Sequence, residues 1–167
     1  MLTFDVGNKR FNLRVAGVAM DKNRVLLHRA ERDNFWSFPG GRPELLELLT
    51  NALKREMQEE MGVQVKVERL LWIVENFFEH NGQKFHELAF YFLMTFPNDS
   101  YLYEKNEPFF GEESAYAQEK LKLIFEWHPI SELPNLPLHP SFLRTALARL
   151  PGAPEHIVHT DTEDIGG

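Results

Sequence analysis

The sequence predicts an α+β fold in which one mixed β-sheet carries most of the chain and few helices cover it. Three observations lead there. Short β-prone runs recur along the chain, punctuated by hairpin signals at Gly7-Asn8 and Asn81-Gly82. The clearest helical period lies in 48–61, with Leu49, Leu53 and Met57 at four-residue steps and Gly62 where a helix terminator belongs. No internal repeat or domain-sized linker interrupts the 167 residues, a length that suits one domain with its own core.

Taken in order, residues 2–6 and 9–15 read as strands around Gly7-Asn8, and 11–20, FNLRVAGVAM, runs on as a largely buried strand. Asp21-Lys22-Asn23 turns the chain into a return strand at 24–29. A polar loop at 30–34 leads to a short aromatic strand at 35–38, FWSF. Pro39-Gly40-Gly41 is expected to end it, because proline lacks a ladder N–H and glycine opens unusual φ. The helix follows. Beyond it, 63–78 is one long strand or two joined by a bend, and 85–96, FHELAFYFLMTF, is its hairpin partner. Residues 97–120 form a long polar connection, of a length that compact domains usually reserve for function. A strand at 121–128, a turn at 129–136 and a closing helix at 141–150 complete a domain spanning 1–150. Residues 151–167 read as an acidic C-terminal tail, a type of segment that is usually disordered unless it lies against the body or a neighbouring chain.

Composition narrows the function. Apolar residues make up 43% and charged residues 26%, ordinary for a globular protein. The net charge of −7 argues against duplex nucleic acid and anionic membranes as partners. A small phosphorylated ligand stays open if a cation offsets its charge. The absence of cysteine excludes disulfides, thiolate metal sites and a cysteine nucleophile. No apolar run reaches the ~18 residues of a membrane span, and 1–11 lacks the plan of a signal peptide. The expected location is cytoplasmic.

The chemistry concentrates in 40–63, GGRPELLELLTNALKREMQEEMGV. Glu56, Glu59 and Glu60 stand at i, i+3 and i+4, so a helix gathers their carboxylates on one side. They lie off the Leu49–Leu53–Met57 stripe, leaving one face to pack and another to bind. Like charges so close repel by a few tenths of a kcal/mol per pair. A hard divalent cation such as Mg²⁺ removes that penalty, since it takes oxygen ligands.

Written as spacing, the stretch is Gly41, five residues, Glu47, seven residues, then Arg55-Glu56-Met57-Gln58-Glu59-Glu60-Met61-Gly62-Val63. This resembles the complete Nudix box, with each fixed position filled. The approach through Trp36 and Pro39-Gly40-Gly41, and the later Phe125-Glu126-Trp127-His128-Pro129, resemble the same family, so the likeness spans roughly 11–150. One departure stands out: the Glu44-x-x-Glu47 step carries Leu46 where the family commonly has glycine.

The resemblance implies an α/β/α sandwich on a central mixed β-sheet. It also implies a pyrophosphohydrolase that uses Mg²⁺ or Mn²⁺ to cleave a phosphoanhydride of a nucleoside diphosphate derivative. A nucleotide sugar, ADP-ribose or a nucleoside triphosphate would fit. Glu56, Glu59 and Glu60 resemble the metal ligands, with the Gly40 carbonyl as a further one and Glu47 acting through water. Arg55 resembles the arginine that orients the glutamates. The general base is Glu56, or a glutamate of the 97–120 loop, Glu112 or Glu113. Arg14, Arg29 and Arg32 lie on or near substrate-facing strands and are candidate phosphate contacts. Phe77, Phe78 and Trp72 are candidate base-stacking rings, although strand aromatics are more often core. His86-Glu87 reads as a sheet-face pair or an edge residue rather than a second polar site, and His128, His139, His156 and His159 show no ligand-like spacing. The alternative function is a non-catalytic module binding a nucleotide or sugar phosphate. A homodimer is left open.

Overall fold

A computed structural model describes residues 1–112 and 121–164. In chain order the elements are β1 (Thr3–Val6), β2 (Lys9–Asp21), β3 (Arg24–Ala30), β4 (Gly40–Gly41) and α1 (Leu49–Met61). Then come β5 (Lys66–His80), β6 (Gln83–Thr95), β7 (Phe109–Glu112), β8 (Lys122–Pro129), α2 (Leu143–Ala146) and β9 (Glu155–Asp164). Short 3-10 turns cover Tyr101–Glu104 and Ile130–Asn135. The strand order is β7-β8-β3-β2-β6-β5-β9, with β1 and β4 also paired to β2. The sheet is mixed: β2–β6 and β5–β9 are parallel, the other pairs antiparallel.

The expected α+β sandwich is present because β2 and β6 are apolar on both faces over their central residues. One face gathers Val15, Leu26, Phe92, Met94 and Phe125 beneath Leu53 and Met57 of α1. The other gathers Val18, Leu27, Trp72 and Tyr91 beneath Leu133, Leu143 and Leu147. Each fully buried leucine or methionine contributes about 1.5–3 kcal/mol of burial. Leu53 and Met57 thereby anchor α1 to the sheet. Among the described residues no helix is long and apolar enough to cross a membrane.

The topology also opens the cleft that matters. β3 pairs with β2 only at Met20↔Val25 and Asp21↔Arg24, then diverges to pair with β8 along its whole length. β4 takes the vacated edge of β2 at Val15↔Gly41 and Ala16↔Gly40.

Several expectations are corrected. Residues 35–38 are not a strand; only the bridges His28↔Ser37 and Trp36↔Leu138 form. Ladder pairing starts at Gly40-Gly41 rather than ending there, because a Cβ on Gly40 would overlap the Val15 carbonyl. Glycine serves close backbone approach here, not unusual φ. The segment 63–78 is one strand, bent by irregularities at Val67/Arg69 and Leu70/Trp72. Part of 97–120 is ordered as a 3-10 turn and β7. The closing helix shrinks to Leu143–Ala146, since most hydrogen bonds in this segment run from i to i−3. Residues 155–164 lie against the body of the domain. They form β9, parallel to β5 from Trp72↔Glu155 to Glu79↔Asp164.

Candidate active site

α1 brings the carboxylates together, but not on a free face. Glu56 and Glu60 are buried, at 6% and 5% exposure, whereas Glu59 lies at the edge. The packing and carboxylate faces overlap because Gly41 makes room: a Cβ there would collide with the Glu56 carboxylate. Gly62 closes α1 with φ 69°, its N–H donating to the Gln58 carbonyl.

Arg55 is the hub. Its Nε and Nη2 donate to Glu47 at 2.8 and 2.9 Å, and Nη1 donates to Glu56 at 3.0 Å and Glu59 at 3.3 Å. Nη2 also reaches the Arg42 carbonyl at 3.3 Å. The hydrogen bond from Arg55 holds the Glu47 carboxyl below the usual carboxylate range. Burial pushes Glu56 upward, and the nearby Arg55 opposes that.

Glu47 reaches this cluster because the loop before α1 turns sharply. Leu46 adopts φ 67° and is 97% exposed, and Leu45 and Leu48 also point outward. The glycine-like position therefore does take a left-handed backbone, and leucine bulk does not crowd Glu47. Left-handed backbone disfavours leucine by about 1–2 kcal/mol, while glycine loses about 0.5–1 kcal/mol in chain entropy. Leu46→Gly is expected to stabilise the protein by about 0.5 kcal/mol. Denaturant unfolding checks this; a destabilised variant refutes it.

Among the described residues no three acidic or histidine side chains already enclose a common point at ligand distance. Arg55 is spread between Glu47, Glu56 and Glu59 instead. The donor chemistry nevertheless fits a hard divalent cation. All the side-chain donors are oxygens, and carboxylates outnumber the guanidinium in a partly buried cluster that needs counter-charge. The Gly17 N–H donates to the Pro39 carbonyl at 2.8 Å, so Gly40 occupies a non-hydrogen-bonded ladder position. Its carbonyl therefore points away from β2.

A cavity of about 560 Å³ adjoins the cluster, with Glu60, Gly40 and Arg42 in its wall. Arg14 and Arg32 line it, and Arg14 donates to the Phe38 carbonyl at 2.6 Å. Arg29 is placed elsewhere: it donates to the carbonyls of Glu31 and Asp33 and lies over Trp36. Glu112 ends β7, next to Gly111, which packs on the Glu60 backbone. Glu113 lies outside the described residues. Phe78 lines the cavity, and Trp72 is core.

Sequence reasoning missed part of this wall. His28 sits with Nδ1 3.9 Å from a Glu60 oxygen. Burial, then the charge of Arg14, pushes it down to about 3, so the imidazole is neutral at physiological pH. Asn12, Asn76 and Glu87 are buried and also line the cavity. The only available signal was parity: Arg10, Asn12 and Arg14 alternate with apolar residues on one strand, which reads as an ordinary solvent face. His139 and His159, given no role from spacing, converge on Asp161.

The chain belongs to the Nudix family of pyrophosphohydrolases, the NUDIX domain matching residues 10–150. It is 38% identical over 85 residues to an 8-oxo-dGTP diphosphatase of Proteus vulgaris, covering 48% of this chain and 72% of that one. It is 29% identical over 123 residues to the uncharacterized Nudix hydrolase YvcI of Bacillus subtilis, covering 74% and 69%. Among solved structures, the MutT protein of Bacillus halodurans superposes with TM-score 0.59 at 22% identity, covering 92% of each chain. That likeness speaks to the fold.

Proposed function

We propose that this protein hydrolyses a phosphoanhydride of a nucleotide or nucleotide derivative with Mg²⁺ or Mn²⁺. The observation that carries the reading is the carboxylate cluster standing at the wall of an arginine-lined cavity. Glu56, Glu59 and Glu60 would hold the cation, with the Gly40 carbonyl as a further ligand and Glu47 contributing through water. A bound divalent cation supplies charge neutralisation of the phosphate oxygens and acidification of water. Arg55 fixes the rotamers of Glu47, Glu56 and Glu59, and Arg14 and Arg32 attract the phosphates. Glu56 or Glu112 takes the proton of the attacking water. The relatives that hydrolyse 8-oxo-dGTP support a nucleoside triphosphate within the wider set that includes ADP-ribose and nucleotide sugars. A binding-only role loses its sequence argument, because Leu46 points to solvent rather than into the site.

Chromatographic detection of the nucleoside monophosphate released from a nucleotide panel, with Mg²⁺, Mn²⁺ or a chelator, tests the reading. Turnover is expected with either metal and should vanish on chelation. Glu59→Gln should lower metal-dependent kcat/KM about tenfold, the low end for weakening a metal site. An inert wild type across the panel sinks the hydrolase reading. Equal activity of the two proteins sinks the ligand assignment.

A further inference from the structure

The cavity floor is built in rungs across β2, β6 and β5. Register places Arg14, Ala89 and Val74 on one rung, then Asn12, Glu87 and Asn76, then Arg10, Phe85 and Phe78. The first rung lies nearest Gly40, whose partner on β2 is Ala16. Asn12 is four residues further along β2, about 13 Å of strand. That separation suits a nucleotide with its phosphates beside the box and its base over the middle rung.

The middle rung is unusual for a sheet interior. Asn12, Asn76 and Glu87 are only 2%, 3% and 7% exposed. Asn12 Nδ2 donates to Glu87 Oε2 at 2.8 Å, which commits the amide nitrogen and turns Asn12 Oδ1 away from that bond. Asn12 Oδ1 and Asn76 Oδ1 are buried without a hydrogen-bond partner among the described residues. A donor that pairs with such an atom recovers about 1–3 kcal/mol, so the rung favours a polar ligand over an apolar one. Phe78 and Phe85 stack at 4.8 Å on the next rung, and Phe35 also lines the cavity, giving flat apolar walls.

We infer that the Asn12–Glu87–Asn76 rung reads the base of the substrate and selects guanine. This rests on the nucleotide-hydrolase reading above. The Glu87 carboxylate and the Asn12 carbonyl are neighbouring acceptors. Their ligand must present adjacent donors on one edge. Guanine does so with N1–H beside the 2-amino group, and its O6 accepts from an Asn76 amide turned to donate. Adenine and cytosine set an acceptor next to their single amino group, and uracil flanks one N–H with two carbonyls. None of these fills the rung.

The test compares kcat/KM for GTP, ITP, XTP and ATP in wild type and Glu87→Gln, with calorimetric binding of the same nucleotides in chelator. Inosine lacks only the 2-amino group, and xanthine replaces it with a carbonyl. Wild type should prefer GTP to ITP by about tenfold or more, the low end for a lost charge-assisted hydrogen bond. Glu87→Gln should shift preference from GTP toward XTP, because an amide N–H donates to the xanthine carbonyl; a purely structural Glu87 predicts no such shift. Should Glu87→Gln fail to fold, Asn76→Ala should lower kcat/KM for GTP, ITP and XTP, which share O6, more than for ATP, which lacks it. Equal use of all bases by wild type, or a uniform loss in Glu87→Gln, overturns the inference while hydrolysis stands. Selective GTP binding without turnover keeps the rung assignment and overturns the hydrolase reading.

Discussion

Arg55→Ala is expected to lower kcat/KM by about 10²-fold or more and to destabilise the fold by about 2–3 kcal/mol. The two effects share a cause. One guanidinium holds Glu47 through two hydrogen bonds and Glu56 and Glu59 through one each. Without it, three carboxylates lose their fixed rotamers together, and an error near 1 Å in catalytic positioning is on the order of 10²-fold. Glu56 would be left buried beside Gly41 without its cationic neighbour, and removing one partner of a buried pair is more costly than the pair is worth. Arg55→Lys should recover little, because a point charge cannot span two carboxylates as a planar fork does. Mn²⁺ should raise the melting temperature of both proteins by mass action. Steady-state kinetics and thermal melts of both variants check this. A lysine variant with wild-type turnover would refute the positioning role.

What could be read in advance was local. The box is legible because a helix converts i, i+3 and i+4 into neighbours, so sequence spacing alone brings Glu56, Glu59 and Glu60 together. The paired strands are legible because Asn81-Gly82 demands two positive φ values, which it has at 51° and 77°. The rest depends on which strand lies beside which. Asn12 and Glu87 meet across 75 residues, and period-2 polarity on β2 does not distinguish a cavity floor from a solvent face. Arg14 and Arg29 are equally plausible on paper, yet β3 diverges from β2 and Arg29 folds back onto its own loop. β9 was hidden for the same reason. Its charged residues look like a solvated tail until the fold supplies their partners.

Those partners make Asp161→Asn the second large effect. Burial would raise the Asp161 carboxyl, but hydrogen bonds with His139, Ser141 and His159 outweigh it and hold it well below the usual range. Ser141 Oγ donates at 2.6 Å, His159 Nε2 lies 3.1 Å away and His139 Nδ1 3.4 Å. These contacts tie β9 to the 139–141 loop, whose His139 packs on Phe35 in the cavity wall. A carboxyl depressed on folding adds stability that is present above its unfolded value, about 3.9. That contribution is lost as pH falls through the lower folded value. The wild-type strap should therefore hold from neutrality down to about pH 4 and loosen below it. Asp161→Asn removes the charge at every pH and should destabilise β9 by about 2–3 kcal/mol, the upper range for hydrogen bonds to a charged group. Amide exchange in β9 should then accelerate by about 30- to 150-fold at neutral pH, and the acid-dependent step should disappear. The exchange of β5 amides paired to β9 should rise with it, whereas those of α1 should not. Unchanged β9 protection in the variant would mean that the strand is held by its ladder to β5 alone.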